Sequence, residues 1–285
     1  MSIKKTIGGV FAAFLLMILS VELSGILTSG LVVIGVPVGI CNIVMGILYL
    51  AITWFLVKIL VKKLFKSKTE EMGMPKISIK RRYILLAVIL PLAVTVSYLL
   101  FVKGEFISSD MTGAGLFSTV TAGLFYSGLA APFVEEIIFR GVMMHLLKKK
   151  WNTAVAVVAP SVLFGLIHIM EIESPTPVSM MLVAVAGTLS GIMFSLIAIK
   201  SGSVWNSGIV HAIWNIIIVG GGLTIAGSPV EGSIVTYVLR SDSVLLTGGQ
   251  FGIESSLVAL IGYLAVVSMI LLSMKRDHTA NEVIA

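Results

Sequence analysis

Residues 112–147 read TGAGLFSTVTAGLFYSGLAAPFVEEIIFRGVMMHLL, an apolar run of 36 residues whose charged side chains are Glu135, Glu136 and Arg140. As one helix it would be ~54 Å long at 1.5 Å per residue, against ~30 Å for the hydrocarbon core of a bilayer. A bend, or an end outside the membrane, is therefore predicted. Pro132 is the natural place for a kink or a restart, because it removes a backbone donor that only protein or a watery cavity can compensate. A helix restarting there would carry Glu135 and Glu136 in its first turns, where the helix dipole favours negative charge.

The rest of the chain repeats the apolar character of this run. It is 57% hydrophobic and 12% charged over 285 residues, with a mean hydropathy of +1.07, which no water-soluble core could absorb. Apolar runs near 7–29, 37–60, 83–102, 152–170, 179–199, 203–224 and 255–274 complete the pattern. The prediction is an all-α polytopic membrane protein of about eight transmembrane helices. Segments of alternating hydrophobicity are missing, which excludes an outer-membrane barrel. The first run follows Lys4 and Lys5 but lacks a small-residue cleavage site, so it reads as an uncleaved span. The lone cysteine, Cys41, allows neither an intramolecular disulfide nor a cysteine-based metal site.

On this layout seventeen of the twenty Lys and Arg residues share one face, with Lys103 and Arg240 opposite and Arg140 inside a span. That face is expected to be cytoplasmic, with both termini, in a cell membrane. The pI of 9.4 then reflects topology and not nucleic-acid binding. The basic segment 58–82 reads as a solvated positive-inside loop, and 225–254, rich in Gly and Ser, as an external and partly re-entrant loop. Three regions follow: an N-terminal three-span segment (1–111), a central core (112–224) and a segment of external loop, last span and tail (225–285). Compact loops without a large soluble domain predict a prokaryotic protein. No phosphate-binding Gly-x-x-x-x-Gly-Lys loop is present, so no nucleotide is expected.

Ionisable side chains at bilayer depth are costly and mark candidate sites. Glu22 stands alone and reads as a snorkelling or inter-helix contact. Glu136 and Arg140, four residues apart, can pair on one helix face, while Glu135 points about 100° away. One acid would be neutralised and one left free; a purely structural ion cluster fits the segment equally well. His168 follows Phe164 by one turn, and His211 and Asn215 share the same spacing. Counted from the basic ends, Glu135, His168, His211 and Asn215 lie ~20, ~26, ~14 and ~20 Å deep. Three helices placing polar groups in one layer predict a shared intramembrane polar cavity. A free carboxylate, two histidines and an amide, without a paired Ser or Cys nucleophile, suit activation of water for amide hydrolysis. The cavity is expected to open toward the cytoplasmic half, with cleavage near that side.

Glu-Glu-x-x-x-Arg at 135–140, Phe-x-x-x-His at 164–168 and His-x-x-x-Asn at 211–215, in this order on successive apolar segments, resemble the three signature motifs of the CPBP (Abi) intramembrane proteases. That family includes CAAX prenyl endopeptidases and bacterial proteins of bacteriocin processing and self-immunity. The resemblance covers about 115–220. It implies Glu135 as general base, His168 as a second water-activating group, and His211 and Asn215 as an oxyanion-stabilising pair, with Glu136, Arg140 and Phe164 as supporting architecture. It also implies zinc as a candidate cofactor, for which Glu135, His168 and His211 would be the ligands; a metal-free glutamate-activated water needs the same residues. The partners implied are membrane lipid and a peptide or protein substrate, membrane-associated or lipidated, reached from the membrane. His145 matches no motif position and is expected at the surface. The alternatives are a non-catalytic immunity or sensor protein of the same fold, and a proton-coupled transporter, which the lack of an inverted repeat disfavours.

Overall fold

The computed structural model describes the backbone of residues 1–284 and the side chains of residues 1–277. The apolar runs fold as helices α1 (Ile3–Val33), α2 (Val38–Leu64), α3 (Arg81–Phe101), α4 (Gly113–Lys150), α5 (Thr153–Glu171), α6 (Pro177–Ser201), α7 (Val204–Val219) and α8 (Leu257–Ile284). Seven are long and apolar enough to cross a membrane; α7 is shorter. Local sequence sets their ends. Asn152 caps α5 by accepting from the Val155 amide at 2.9 Å, and α6 runs from a Thr176–Ser179 capping box to Gly202 at φ +74.

Helix α4 does not restart at Pro132. It is continuous from 113 to 150, and two widened π segments, 122–130 and 136–143, flank the proline. In the π register the missing Pro132 donor would have reached the carbonyl of Ser127. That carbonyl instead accepts the side-chain amide of Asn215 at 2.9 Å. A proline in mid-helix is thus compensated from a neighbouring helix, and the helix runs on through it.

The helices share one strongly basic end, bearing Lys4, Lys5, Lys62, Lys63, Arg81, Arg82 and Lys148–Lys150. At the opposite end a small sheet forms from β1 (Gly104–Ser108), β2 (Leu223–Ala226) and β3 (Val235–Leu239), in the order β1-β3-β2. β1 and β3 are antiparallel, with Gly104 opposite Leu239, and β2 lies parallel to β3. This small sheet, three strands of four or five residues, accompanies a fold that is otherwise helical, as the all-α polytopic reading expects. Lys103 and Arg240 both sit at the edge of this sheet, where the Arg240 amide donates to the Lys103 carbonyl at 2.8 Å.

The basic segment between α2 and α3 is not simply solvated. Met72 and Met74 are buried. Trp205 Nε1 donates to the Pro75 carbonyl at 2.6 Å, the Val204 amide to the Gly73 carbonyl at 2.9 Å, and the Lys80 amide to Asn206 Oδ1 at 2.8 Å. His145, expected at the surface, is half-buried beside this segment. Its Nδ1 lies 2.9 Å from the Gly141 carbonyl, and its ring packs where a Gly73 side chain would stand. The segment closes the basic end over a core formed by Val57, Val61, Met74, Ile138, Val142 and Leu146.

Candidate active site

Three helices bring the motif residues together. Helices α5 and α6 approach closely because Gly165 and Gly187 face each other: a side chain on Gly165 would meet the Ala184 carbonyl at 2.4 Å. This contact sets the position of Phe164 and His168 against α4. Gly191, one turn further along α6, offers its carbonyl to Arg140 Nη2 at 3.1 Å.

Glu136 and Arg140 are fully buried and paired at 2.9 Å, on the face and at the spacing expected. The Arg140 guanidinium lies over Phe164 at 4.6 Å and Phe194 at 5.4 Å, so aromatic faces supply much of its remaining solvation. Glu136 Oε2 and Arg140 Nε have no hydrogen-bond partner among the described residues. Phe139 between them, and Val142 and Met143 toward the basic end, are completely buried.

Glu136 also fixes a histidine. His211 Nδ1 lies 3.3 Å from Glu136 Oε1, and His211 Nε2 lies 3.7 Å from Glu135 Oε2. An ionised Glu136 can only accept, so its partner nitrogen carries the proton and Nε2 is turned to Glu135. The ring is held flat against Phe194, with centroids 4.4 Å apart, and meets the edge of Phe164. His168 Nδ1 donates to the Phe164 carbonyl at 2.6 Å, which leaves its Nε2 for other partners. Asn215 has committed one amide hydrogen to Ser127, so its side chain is partly structural.

Glu135, His168, His211 and Asn215 line a single open cavity of about 690 Å³. Glu136 and Arg140 stand behind its wall. The cavity lies in the half of the bundle away from the lysines, bounded by the last turn of α5, the second half of α7 and residues 251–254. The expected opening toward the basic, cytoplasmic half is thereby corrected: the buried Glu136–Arg140 pair and the Met74 segment fill that half. Among the described residues no three His, Cys, Asp or Glu side chains stand close enough together to hold a metal ion. The Phe164 carbonyl at His168 Nδ1 and Glu136 at His211 Nδ1 leave the Nε2 atoms of both rings, with Glu135 beside that of His211, for other partners.

Three further carboxylates line the same cavity: Glu22, Glu171 and Glu254. Sequence reasoning flagged Glu22 only as an isolated contact and passed over the other two, which lie near helix ends where an acid is unremarkable. Glu254, on a short turn before α8, has its carboxyl pushed up to about 8; burial is the main cause, the Trp214 hydrogen bond opposes it and the charge of Glu171 adds to it.

Residues 116–217 match the family of Rce1-like type II CAAX prenyl endopeptidases. The matched segment contains every motif residue from Glu135 to Asn215. No curated protein and no solved structure matches the chain.

Proposed function

We propose that this chain, whose core carries the Rce1-like type II CAAX prenyl endopeptidase match, hydrolyses a peptide bond of a membrane-associated peptide or protein with a water activated by Glu135. The observation that supports the reading best is that Glu135, His168, His211 and Asn215, from three separate helices, line one cavity. Peptide hydrolysis needs a base, a proton for the leaving amine and donors for the oxyanion, and this set offers one candidate for each.

In this mechanism His168 Nε2 accepts a hydrogen bond from the water and orients it toward the scissile carbonyl. Glu135 takes the water proton as the oxygen attacks the carbonyl carbon. The oxyanion accepts a hydrogen bond from the second amide hydrogen of Asn215, and His211, held by Glu136 through Nδ1, adds a second through Nε2 when its ring carries both protons. Collapse of the tetrahedral intermediate breaks the C–N bond, and Glu135 returns the proton to the amine nitrogen. The proton left on the new carboxyl passes to the released amine, so the products are a carboxylate and an ammonium group, and the enzyme ends as it began. Glu136 and Arg140 are positioning residues: Arg140 fixes Glu136 by pairing with it, and Glu136 keeps His211 in one orientation. No step runs through a metal.

The test is proteomics of membrane fractions from cells making the wild-type chain, Glu135→Ala or His168→Ala at equal levels. A hydrolase leaves an uncut precursor in both variants. A non-catalytic immunity or sensor protein keeps its phenotype in at least one of them, with no precursor in either.

A further inference from the structure

The cavity differs from the rest of the molecule in charge as well as in shape. Its lining includes Glu22, Glu135, Glu171 and Glu254 but no Lys or Arg, although the whole chain has a formal charge of +6. Among the described residues Glu22 and Glu171 form no ion pair. A second cavity of about 570 Å³ shares Val219, Phe251 and Glu254 with the first and adds Glu231 and Asp242, again without a basic residue. It lies among the β2–β3 connection and residues 241–254, at the sheet end. The route out of the candidate active site therefore leads away from the lysines, while the basic end is closed by Met74, by the Trp205–Pro75 hydrogen bond and by the Glu136–Arg140 pair.

Two physical rules turn this asymmetry into a substrate class. Short loops rich in Lys and Arg stay on the cytoplasmic side, so the open end faces the other compartment. A cleft lined by one sign of charge between low-dielectric walls concentrates ligands of the opposite sign.

We propose that the substrate is a cationic peptide segment that reaches the cavity from the non-cytoplasmic face, its Lys or Arg side chains held by Glu22, Glu171 and Glu254 beside the scissile bond. The proposal rests on reading the cavity as the hydrolytic site. It distinguishes an exported or outer-leaflet peptide from a chain presented by the cytoplasm. Its charge preference adds a specificity that the motif residues alone do not supply.

The experiment has two arms on the full-length chain. In the first, Cys41→Ser removes the native thiol, and Glu171→Cys or Lys68→Cys supplies a single new one for a membrane-impermeant maleimide. Labelling of Glu171→Cys in intact cells, and of Lys68→Cys only after permeabilisation, is expected; the reverse pattern overturns the proposal. In the second, the chain in phosphatidylcholine vesicles binds two fluorescent, N-myristoylated D-peptides of equal length, one alternating Lys with Ala and one alternating Glu with Ala. Tenfold or greater preference for the Lys probe is expected, weakening at high salt and falling at least fivefold in Glu171→Gln and in Glu22→Gln. Equal binding of the two probes, binding of neither, or no change in both Gln variants overturns it. Peptide cleavage that Glu135→Gln abolishes, found together with charge-indifferent binding, leaves the endopeptidase reading standing and removes this one. Charge-selective binding without any Glu135-dependent cleavage removes the endopeptidase reading instead.

Discussion

Arg140 is the largest fully buried side chain among the described residues, and its charge is tolerated because Glu136, the Gly191 carbonyl and two aromatic faces surround it. Breaking one half of a buried pair leaves an uncompensated charge, at a cost of about 3–5 kcal/mol, whereas replacing both partners with apolar groups of similar size is often close to neutral. Glu136→Gln and Arg140→Met are each expected to lower the thermal midpoint in detergent sharply, and the double variant less than their sum. Strict additivity would show that the two do not act as a unit. Activity should fall in all three, because each loosens His211. At Glu254 the sign of a pH effect can be worked out. Its folded carboxyl holds a proton up to about pH 8, while the unfolded chain releases it near the ordinary value of 4.5. The unfolded state therefore binds fewer protons between these limits, so this group makes stability fall as pH rises from about 4.5 to 8 and level off above. Glu254→Gln should flatten that part of a thermal-midpoint profile; an unchanged slope would assign it to other groups. A cation in the cavity favours the ionised carboxyl, so Lys-probe binding should release a proton and tighten as pH approaches 8.

At the scale of elements, α4 and α7 are coupled through one carbonyl. Pro132 cannot donate, and Asn215 supplies the hydrogen bond that Ser127 would otherwise lack. An orphaned buried carbonyl costs about 1–3 kcal/mol, so Asn215→Ala should destabilise by that amount. Adding Pro132→Ala restores a backbone donor and should recover part of the loss of stability without recovering activity, which separates the structural from the chemical use of Asn215. The same pair shows how far sequence could be read. Pro132 is visible as a helix disruptor and Asn215 as a polar residue at bilayer depth, but their connection depends on a π register that apolar periodicity does not encode. Strands β1, β2 and β3 escaped for a related reason. Each is four or five residues long, and β1 pairs with a partner more than 120 residues away. The Met74 segment read as solvated because Lys residues surround two methionines, and only the folded chain shows which of them point inward. The long helices were legible because twenty consecutive apolar residues admit few other fates.

Across the whole molecule, charge and cavity are arranged at opposite ends. Lysines and the folded-over 65–80 segment occupy one end, while the acidic cavity, the sheet and the second cavity occupy the other. Depth counting along single helices located a common polar layer but not the side from which it is open, since that depends on how side chains fill the basic half. The motif residues were legible because each is a polar group in an apolar setting. The rim carboxylates Glu171 and Glu254 were not, because they join the cavity only through the fold of residues 168–171 and 251–254. The claim on which the functional account turns is that Glu135 removes the proton from the water that cuts the substrate. It is tested most directly by the rate at which purified wild-type and Glu135→Gln chains, in vesicles and at matched thermal midpoints, generate new peptide carboxyl termini read by mass spectrometry. A fall of about 10²–10⁴-fold, the contribution of a positioned general base, is the predicted result; cleavage by Glu135→Gln at the wild-type rate would contradict it.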